Sequence, residues 1–403
     1  MIPFSPPRID QKIIDEVVKT LQSGWITTGP RTKQFEKELT AYCGNKSTLA
    51  LNSATAGLEL ILRWFGVKEG DEVILPVYTY CATANVVVHC GAKPVFVDVN
   101  PLDFNISVQA IENAITEKTK VIIPVDLGGF PVDMDEIIGL VKRESNRRLF
   151  KPRNDIQHKL GRILILLDAA HSLGAVYKGK KVGSTTDITV FSFHAVKNLT
   201  TAEGGAVSLN LPEPFNNDEI YKYLCIYSLH GQDKDALSKT KKGNWRYDVV
   251  EAGFKSNITD ILSTIGLVEL SRYDNDTLIK RRKIFQAYNL GFERFKWAQL
   301  PIYETQYKKS SFHLYLLRIK GISEKQRDRI IHCIFSKDVS VNVHFQPLPL
   351  FSYYKKLGYK ISDYPVAFDN YSREISLPVY YDITDEQIKT VIDSVIDSVN
   401  EVI

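Results

Sequence analysis

The chain has 403 residues, 44% hydrophobic and 24% charged, ordinary proportions for a soluble globular protein with room for two or three units and no stretch that reads as a flexible linker. A net charge of +4 is too small, and its basic residues too dispersed, to argue for nucleic-acid binding, while a locally positive pocket for phosphates remains compatible with it. Five cysteines at no metal spacing (Cys43, Cys81, Cys90, Cys225, Cys333) read as reduced residues, and MIPFSPPRID carries neither signal pattern nor membrane span, so the expected setting is the cytoplasm.

Asp10 to Gln22 carries Ile13, Val17 and Leu21 on one helical face, with Asp10 as cap and Gly24 as stop. SGWITTGP follows as a turn-rich loop with a stiff Gly29-Pro30 step. Thr32 to Tyr42 is a second short helix presenting Phe35 and Leu39 to a core. Ser47 to Leu51 is an apolar strand, and Leu58 to Phe65 turns helical. Between them lie Asn52, Ser53, Ala54, Thr55, Ala56 and Gly57. Small residues there leave backbone N–H groups free at a helix start, where the dipole favours an anion. The same residues also fit a plain helix cap.

Glu72 to Leu75 is the next strand and runs into PVYTYCATAN, whose two tyrosines either pack in a core or offer one ring to a flat ligand. Val95 to Val97 (strand), Val108 to Ile115 (helix), Val121 to Val125 (strand) and Met134 to Lys142 (helix) continue the alternation. Residues 143–161, RESNRRLFKPRNDIQHKLG, read as a surface insertion, a helix extension plus loop.

Ile163 to Leu167 is a run of five branched apolar residues, suited to a strand buried on both faces of a parallel sheet, with Asp168 at its carboxyl end. Ligands of open α/β sheets bind at that edge, and a carboxylate there can keep a pyridinium nitrogen protonated; a helix cap is the competing reading, and no metal-ligand set stands nearby. His171, three residues on, shares the same rim. Ile188 to Phe193 then delivers Lys197 between small and polar residues that close on Gly204-Gly205. A lysine leaving a buried strand is poorly solvated, which favours the neutral nucleophile; alone, the same lysine also suits a surface loop. His194 either approaches substrate or packs.

Counting Ala206 to Leu209, about seven strands alternate with helices, an α/β architecture with a mostly parallel sheet and helices on both faces. His230 to Trp245 is a polar, lysine-rich loop, either a solvated surface or a lid. GFKSNITDI leads into a helix from Thr259 to Leu270. From Arg281 a smaller α/β unit follows: strand Phe312 to Ile319, helix Glu324 to Phe335, strand Val339 to Phe345, and helix Thr384 to Val399 with a Thr384/Gln387 capping box. The expected domains are 1–280 and 281–403.

SFHAVKN with TTAEGG, DAAHS, SGWITTGP and GFKSNITDI, taken in order along the chain, resemble the corresponding blocks of the DegT/DnrJ/EryC1/StrS family, sugar aminotransferases of fold type I that use pyridoxal phosphate (PLP). The resemblance implies that Lys197 binds the cofactor covalently and acts as acid/base, that Asp168 pairs with the ring nitrogen, and that His171 stands beside the ring. It further puts the cofactor phosphate on Ala54, Thr55 and Ser192, with Lys255 and Asn257 reaching in from a neighbouring subunit. Tyr80, and not Tyr78, takes the stacking place.

By the same resemblance Thr28 lines a sugar-nucleotide pocket. VNVHFQPLPL is similar to the family's VHYxPLHLQP and turns His344 to the substrate side, although Pro349 replaces a frequent second histidine. The related sugar 3-dehydratases have histidine where Lys197 stands. The implied reaction is amination of a nucleotide-linked keto sugar with glutamate as donor, in polysaccharide biosynthesis, by a cytoplasmic homodimer with shared sites and no metal. A lyase or desulfurase of the same fold type, and a cofactor-holding regulator without turnover, are the alternatives.

Overall fold

The computed structural model describes residues 1–234 and 245–403; most of the lysine-rich segment expected as a surface loop or lid lies outside them. The apolar runs form one seven-stranded sheet from β1 (Ser47–Leu51), β2 (Glu72–Pro76), β3 (Lys93–Val97), β4 (Thr119–Ile122), β5 (Leu164–Asp168), β6 (Ile188–Ser192) and β7 (Gly205–Leu209). Their spatial order is β1-β7-β6-β5-β4-β2-β3. β7 runs antiparallel to both neighbours, and the other six strands share one direction. Strands β1, β2, β4, β5 and β7 are buried along their whole length, as expected of a parallel sheet covered by helices.

Four helices of the first half bear on the site: α1 (Gln11–Gln22), α2 (Pro30–Cys43), α3 (Ala54–Trp64) and α4 (Cys81–His89). Asp10 caps α1 by accepting from the Ile13 N–H. Ile13 is buried, but Leu21 is 50% exposed, so the apolar stripe expected on this helix is only partly used within the chain. α3 starts four residues before the apolar periodicity suggests, because the Ser53 hydroxyl caps it at the Ala56 N–H, 3.1 Å away. β4 ends at Ile122 rather than Val125. Pro124 has no N–H for the ladder, and Val125 makes only a single bridge, to Asp168.

The 143–161 insertion is a pair of short helices, Glu144–Leu149 and Asp155–Leu160. It is anchored at its base: Gln157 is fully buried and donates to the Phe65 carbonyl at 2.8 Å, and Arg153 pairs with the buried Asp71 just before β2. It therefore packs at the amino ends of the strands, opposite Asp168.

After α5 (Asp260–Ser271) and α6 (Leu278–Phe292), a three-stranded antiparallel sheet forms from β8 (Ala298–Gln299), β9 (Tyr315–Ile319) and β10 (Glu374–Leu377), with α7 (Glu324–Ser336) between β9 and β10 and α8 (Asp385–Val402) after β10. The Thr384/Gln387 capping box starts α8. A second hydrophobic cluster, including Phe285, Tyr315, Ile330, Ile375 and Val395, fills this region. Val339 to Phe345 is not a strand. It makes isolated bridges only, Val339 to Ile2 and Asn342 to Ser376, because its backbone groups divide between two different partners. The Ile2 bridge straps the N-terminus onto the second cluster and brings Phe4 and Ser5 to the site.

Candidate active site

β5 and β6 are hydrogen-bonded parallel neighbours with Asp168 opposite Val190, so the residues leaving both strands emerge on the same sheet edge. A cavity of about 470 Å³ opens there, lined by Asp168, His171, Ser192, Lys197, Tyr80 and His344 among others. The Lys197 loop turns back on itself through the Lys197 N–H to the His194 carbonyl, 2.8 Å. Burial pushes the Lys197 amine down to about 8, with the Asp168 charge pulling the other way. The lysine thus holds a substantial neutral fraction near physiological pH, as a nucleophile requires.

Asp168 is 6% exposed and accepts from two neutral donors, the Thr83 hydroxyl at 2.8 Å and the Ala170 N–H at 3.1 Å. Burial raises its pKa against those hydrogen bonds. Among the described residues no Lys or Arg forms an ion pair with it, so this carboxylate is desolvated without a matched cation. A protonated pyridine nitrogen supplies that charge, and the group therefore fits a pyridoxal cofactor.

The opposite end of the cavity is the first turn of α3. Ser53 caps the helix at the Ala56 N–H, and Ala54, Thr55 and Ser192 line this end of the cavity together. Gly205 sets how closely the pieces meet. A Cβ on it would stand 2.4 Å from the Ala54 nitrogen and 2.5 Å from the Ser53 carbonyl carbon, so only glycine lets β7 pass under the helix start. The cradle has the shape and dipole for a phosphate.

Two buried histidines, His171 and His313, and the half-buried His344 line the remaining wall, and hydrogen bonds fix the tautomers of the first two. His171 Nδ1 accepts from the Gly128 N–H at 3.3 Å, which puts the ring proton on Nε2. His313 Nδ1 lies 2.8 Å from Asn198 Oδ1; the Asn198 amide donates to Ser311, so Oδ1 accepts and His313 is protonated on Nδ1. The rings of His171 and His313 lie with centroids 4.5 Å apart and planes tilted by 41°. Burial holds both far below the usual histidine value, and His344 at about 4, with the Lys197 charge adding to each. All three rings are neutral at pH 7.

Ala54, Thr55, Tyr80, Asp168, His171, Ser192, His194, Lys197 and His344 share the one cavity. Tyr80 is 60% exposed and lies 5.9 Å from Phe345, whereas Tyr78 is fully buried against Phe104. Thr28, Lys255 and Asn257 do not line the cavity of their own chain. They form a separate string in which Lys255 Nζ donates to Asn257 Oδ1 at 2.7 Å, Asn257 Nδ2 to Thr28 Oγ1 at 2.6 Å, and Thr28 to the Ile258 carbonyl. Sequence reasoning missed Thr83, Asn198 and His313, whose only signal is proximity across the fold. It also missed Phe4 and Ser5, which reach the cavity through the N-terminal strap.

The model of the DegT/DnrJ/EryC1/StrS aminotransferase family matches residues 7–396. The spore coat polysaccharide biosynthesis protein SpsC of Bacillus subtilis is 36% identical over 99% of this chain and 97% of its own. The putative sugar aminotransferase Spr1654 of Streptococcus pneumoniae, solved in a PMP-form, superposes with a TM-score of 0.96 at 44% identity over the whole of both chains; its PLP-form gives 0.94 at 43% over 100% of this chain and 99% of that one. Helicobacter pylori PseC, an aminotransferase involved in the biosynthesis of pseudoaminic acid, matches at 0.85 and 28% identity over 99% of each chain.

Proposed function

Starting from the fact that this chain belongs to the DegT/DnrJ/EryC1/StrS family of PLP-dependent sugar aminotransferases of fold type I, we propose that it converts a nucleotide-linked keto sugar to the amino sugar with glutamate as amino donor. The observation that carries this reading is the convergence of a depressed lysine amine, an unmatched buried carboxylate and a helix-start anion cradle on one cavity. SpsC, by its name, acts in making a polysaccharide, and a similar destination is proposed for this product.

When bound, the cofactor supplies an electron sink for the carbanion at the amino donor's Cα. Ala54, Thr55 and Ser192 would hold its phosphate, Asp168 its ring nitrogen, and Tyr80 one face of its ring. His171, protonated on Nε2, would donate to its phenolic oxygen. Lys197 would hold the cofactor's aldehyde carbon and, once the donor's amine has displaced it, its freed amine would take the proton from the donor's Cα and return it at the carbon that was the aldehyde. The same amine runs the proton in reverse when the sugar ketone is aminated. His344 and His194 face the volume left for the sugar.

Thr28, Lys255 and Asn257 lie away from their own chain's cavity, and α1 leaves Ile14, Val18 and Leu21 exposed. Both features support a homodimer in which that string completes the partner's site. No helix of the described residues is long and apolar enough to cross a membrane, and the reaction is proposed to run in the cytoplasm. No cysteine lines the cavity, and burial pushes the Cys43 and Cys90 thiols up to about 12 and about 11; this favours transamination over a desulfurase, which needs a thiolate.

The test loads the protein with PLP, adds glutamate and then a panel of nucleotide keto sugars, and follows 2-oxoglutarate. Release of 2-oxoglutarate that continues catalytically only with a sugar supports the proposal. If glutamate leaves the bound cofactor's visible absorption unchanged, transamination from this donor is wrong. Lys197→Ala should abolish turnover and leave no cofactor attached to the protein after borohydride reduction.

A further inference from the structure

A hydrogen-bond chain leads from the substrate side of the cavity to a buried acid that does not line it. The His344 ring stacks on Phe4 at 5.4 Å and meets Phe345 edge-on at 5.1 Å. Its Nδ1 lies 2.9 Å from Ser376 Oγ, and Ser376 Oγ lies 2.6 Å from Glu374 Oε1. The other carboxyl oxygen, Oε2, accepts the backbone N–H of His344 at 3.0 Å. Glu374 is fully buried on β10.

The charged and titratable groups facing Glu374 are Arg318 from β9, Arg327 from α7, Tyr78 from the loop after β2, and His344 itself. Both guanidinium groups direct their hydrogen bonds elsewhere. Arg318 donates to the Pro101 and Leu102 carbonyls and to Asn370; Arg327 donates to the Tyr371 and Glu374 carbonyls and to Asp328. The carboxyl group of Glu374 therefore makes its hydrogen bonds only to the His344 backbone and Ser376 among the described residues.

An amide N–H can only donate, so Oε2 is fixed as an acceptor. Oε1 then decides the direction of the whole chain. When it is bare, Ser376 donates to it and takes the Nδ1 proton of His344 as its own hydrogen bond, leaving Nε2 an acceptor. When Oε1 carries a proton, every bond reverses and Nε2 becomes a donor. We propose that Glu374, acting through Ser376, selects which ring nitrogen of His344 carries the proton, and so whether a hydroxyl of the amino acceptor meets an acceptor or a donor there. The identity of that acceptor rests on the nucleotide-sugar reading above; the tautomer choice does not. Glu374 is a positioning residue, since it touches neither cofactor nor substrate. Burial lifts Glu374 to about 8 and lowers His344 to about 4, so the ring stays neutral across the range in which the acid titrates.

The test is ¹⁵N NMR of the full-length, PLP-loaded protein labelled at its eight histidines, with His344→Gln identifying the His344 signals. At about pH 9 the wild-type proton should sit on Nδ1, moving to Nε2 as the pH falls to about 6. Glu374→Gln must turn its carbonyl to the His344 N–H and its NH₂ to Ser376, which holds the proton on Nε2 at every pH. Ser376→Ala should make the tautomer independent of pH. Glu374→Gln should also change KM for the sugar about tenfold while leaving the glutamate half-reaction within about twofold.

If wild type and Glu374→Gln share a tautomer at about pH 9, the proposal is overturned. Should Glu374→Gln fail to fold, a wild-type tautomer unchanged between the two pH limits overturns it equally. A wrong substrate class would appear in turnover alone and leave the nitrogen spectra as expected.

Discussion

The Thr83 hydroxyl, in the first turn of α4, donates to Oδ2 of Asp168 at 2.8 Å. Thr83 is itself fully buried and lies 3.0 Å from the Thr79 hydroxyl. Asp168 thereby keeps one oxygen oriented by a helix and the other by the Ala170 N–H, which fixes the plane of its carboxylate. Thr83→Val keeps the shape and removes the donor. A hydrogen bond to a charged group contributes about 2 kcal/mol, so PLP affinity should fall roughly 30-fold. Equilibrium titration of the cofactor checks this; unchanged affinity would remove Thr83 from the site's machinery.

Capture of PLP by the cofactor-free protein requires the neutral amine of Lys197. With that amine at about 8, the neutral fraction rises with pH, and capture should accelerate about tenfold between about pH 7 and pH 9 and then level off. Stopped-flow absorbance reads this directly. A rate still climbing at about pH 10 would mean that the amine is solvated.

Gly205→Ala forces a Cβ against the Ala54 nitrogen and the Ser53 carbonyl carbon. Backbone cannot yield as a side chain does, so α3 must move off β7. The expected cost is about 1–3 kcal/mol of stability, seen as a lower melting temperature, together with weaker binding of inorganic phosphate and PLP. A variant with native melting and native affinity would show that the cradle is not set by this contact.

Lys197→Ala and Lys255→Ala chains, each inactive or impaired alone, should regain activity when co-expressed and purified as a mixed dimer. One of its two sites then pairs an intact Lys197 with the partner subunit's intact Lys255. Mixed dimers no better than the two parents would place the action of Lys255 within its own chain and end the shared-site proposal.

Much of the frame was legible because its signals are local. A run such as Ile163 to Leu167 announces a strand buried on both faces, and the first polar residue after it must stand at the sheet edge. That suffices to place Asp168 and, after the run Ile188 to Phe193, His194 at the edge with Lys197 in the loop that follows it. Local rules gave a wrong answer for Val339 to Phe345. Its residues suit a strand, but its backbone partners come from Ile2 and Ser376, which no window of neighbouring residues contains. The exposure of Leu21 has a related cause: periodicity defines an apolar face without saying whether its own chain covers it.

By itself the sequence determined the alternation of strands and helices, the two residues that open the site, and the family resemblance that carries their chemistry. Tertiary packing alone decided how those residues are held: Thr83 reaches Asp168 across 85 positions and Asn198 reaches His313 across 115. It also decided that Thr28, Lys255 and Asn257 stand apart from the cavity of their own chain. The reason is that side-chain direction repeats every two or 3.6 residues and can be read in a short window, whereas a hydrogen-bond partner supplied by another element depends on where the whole chain folds back.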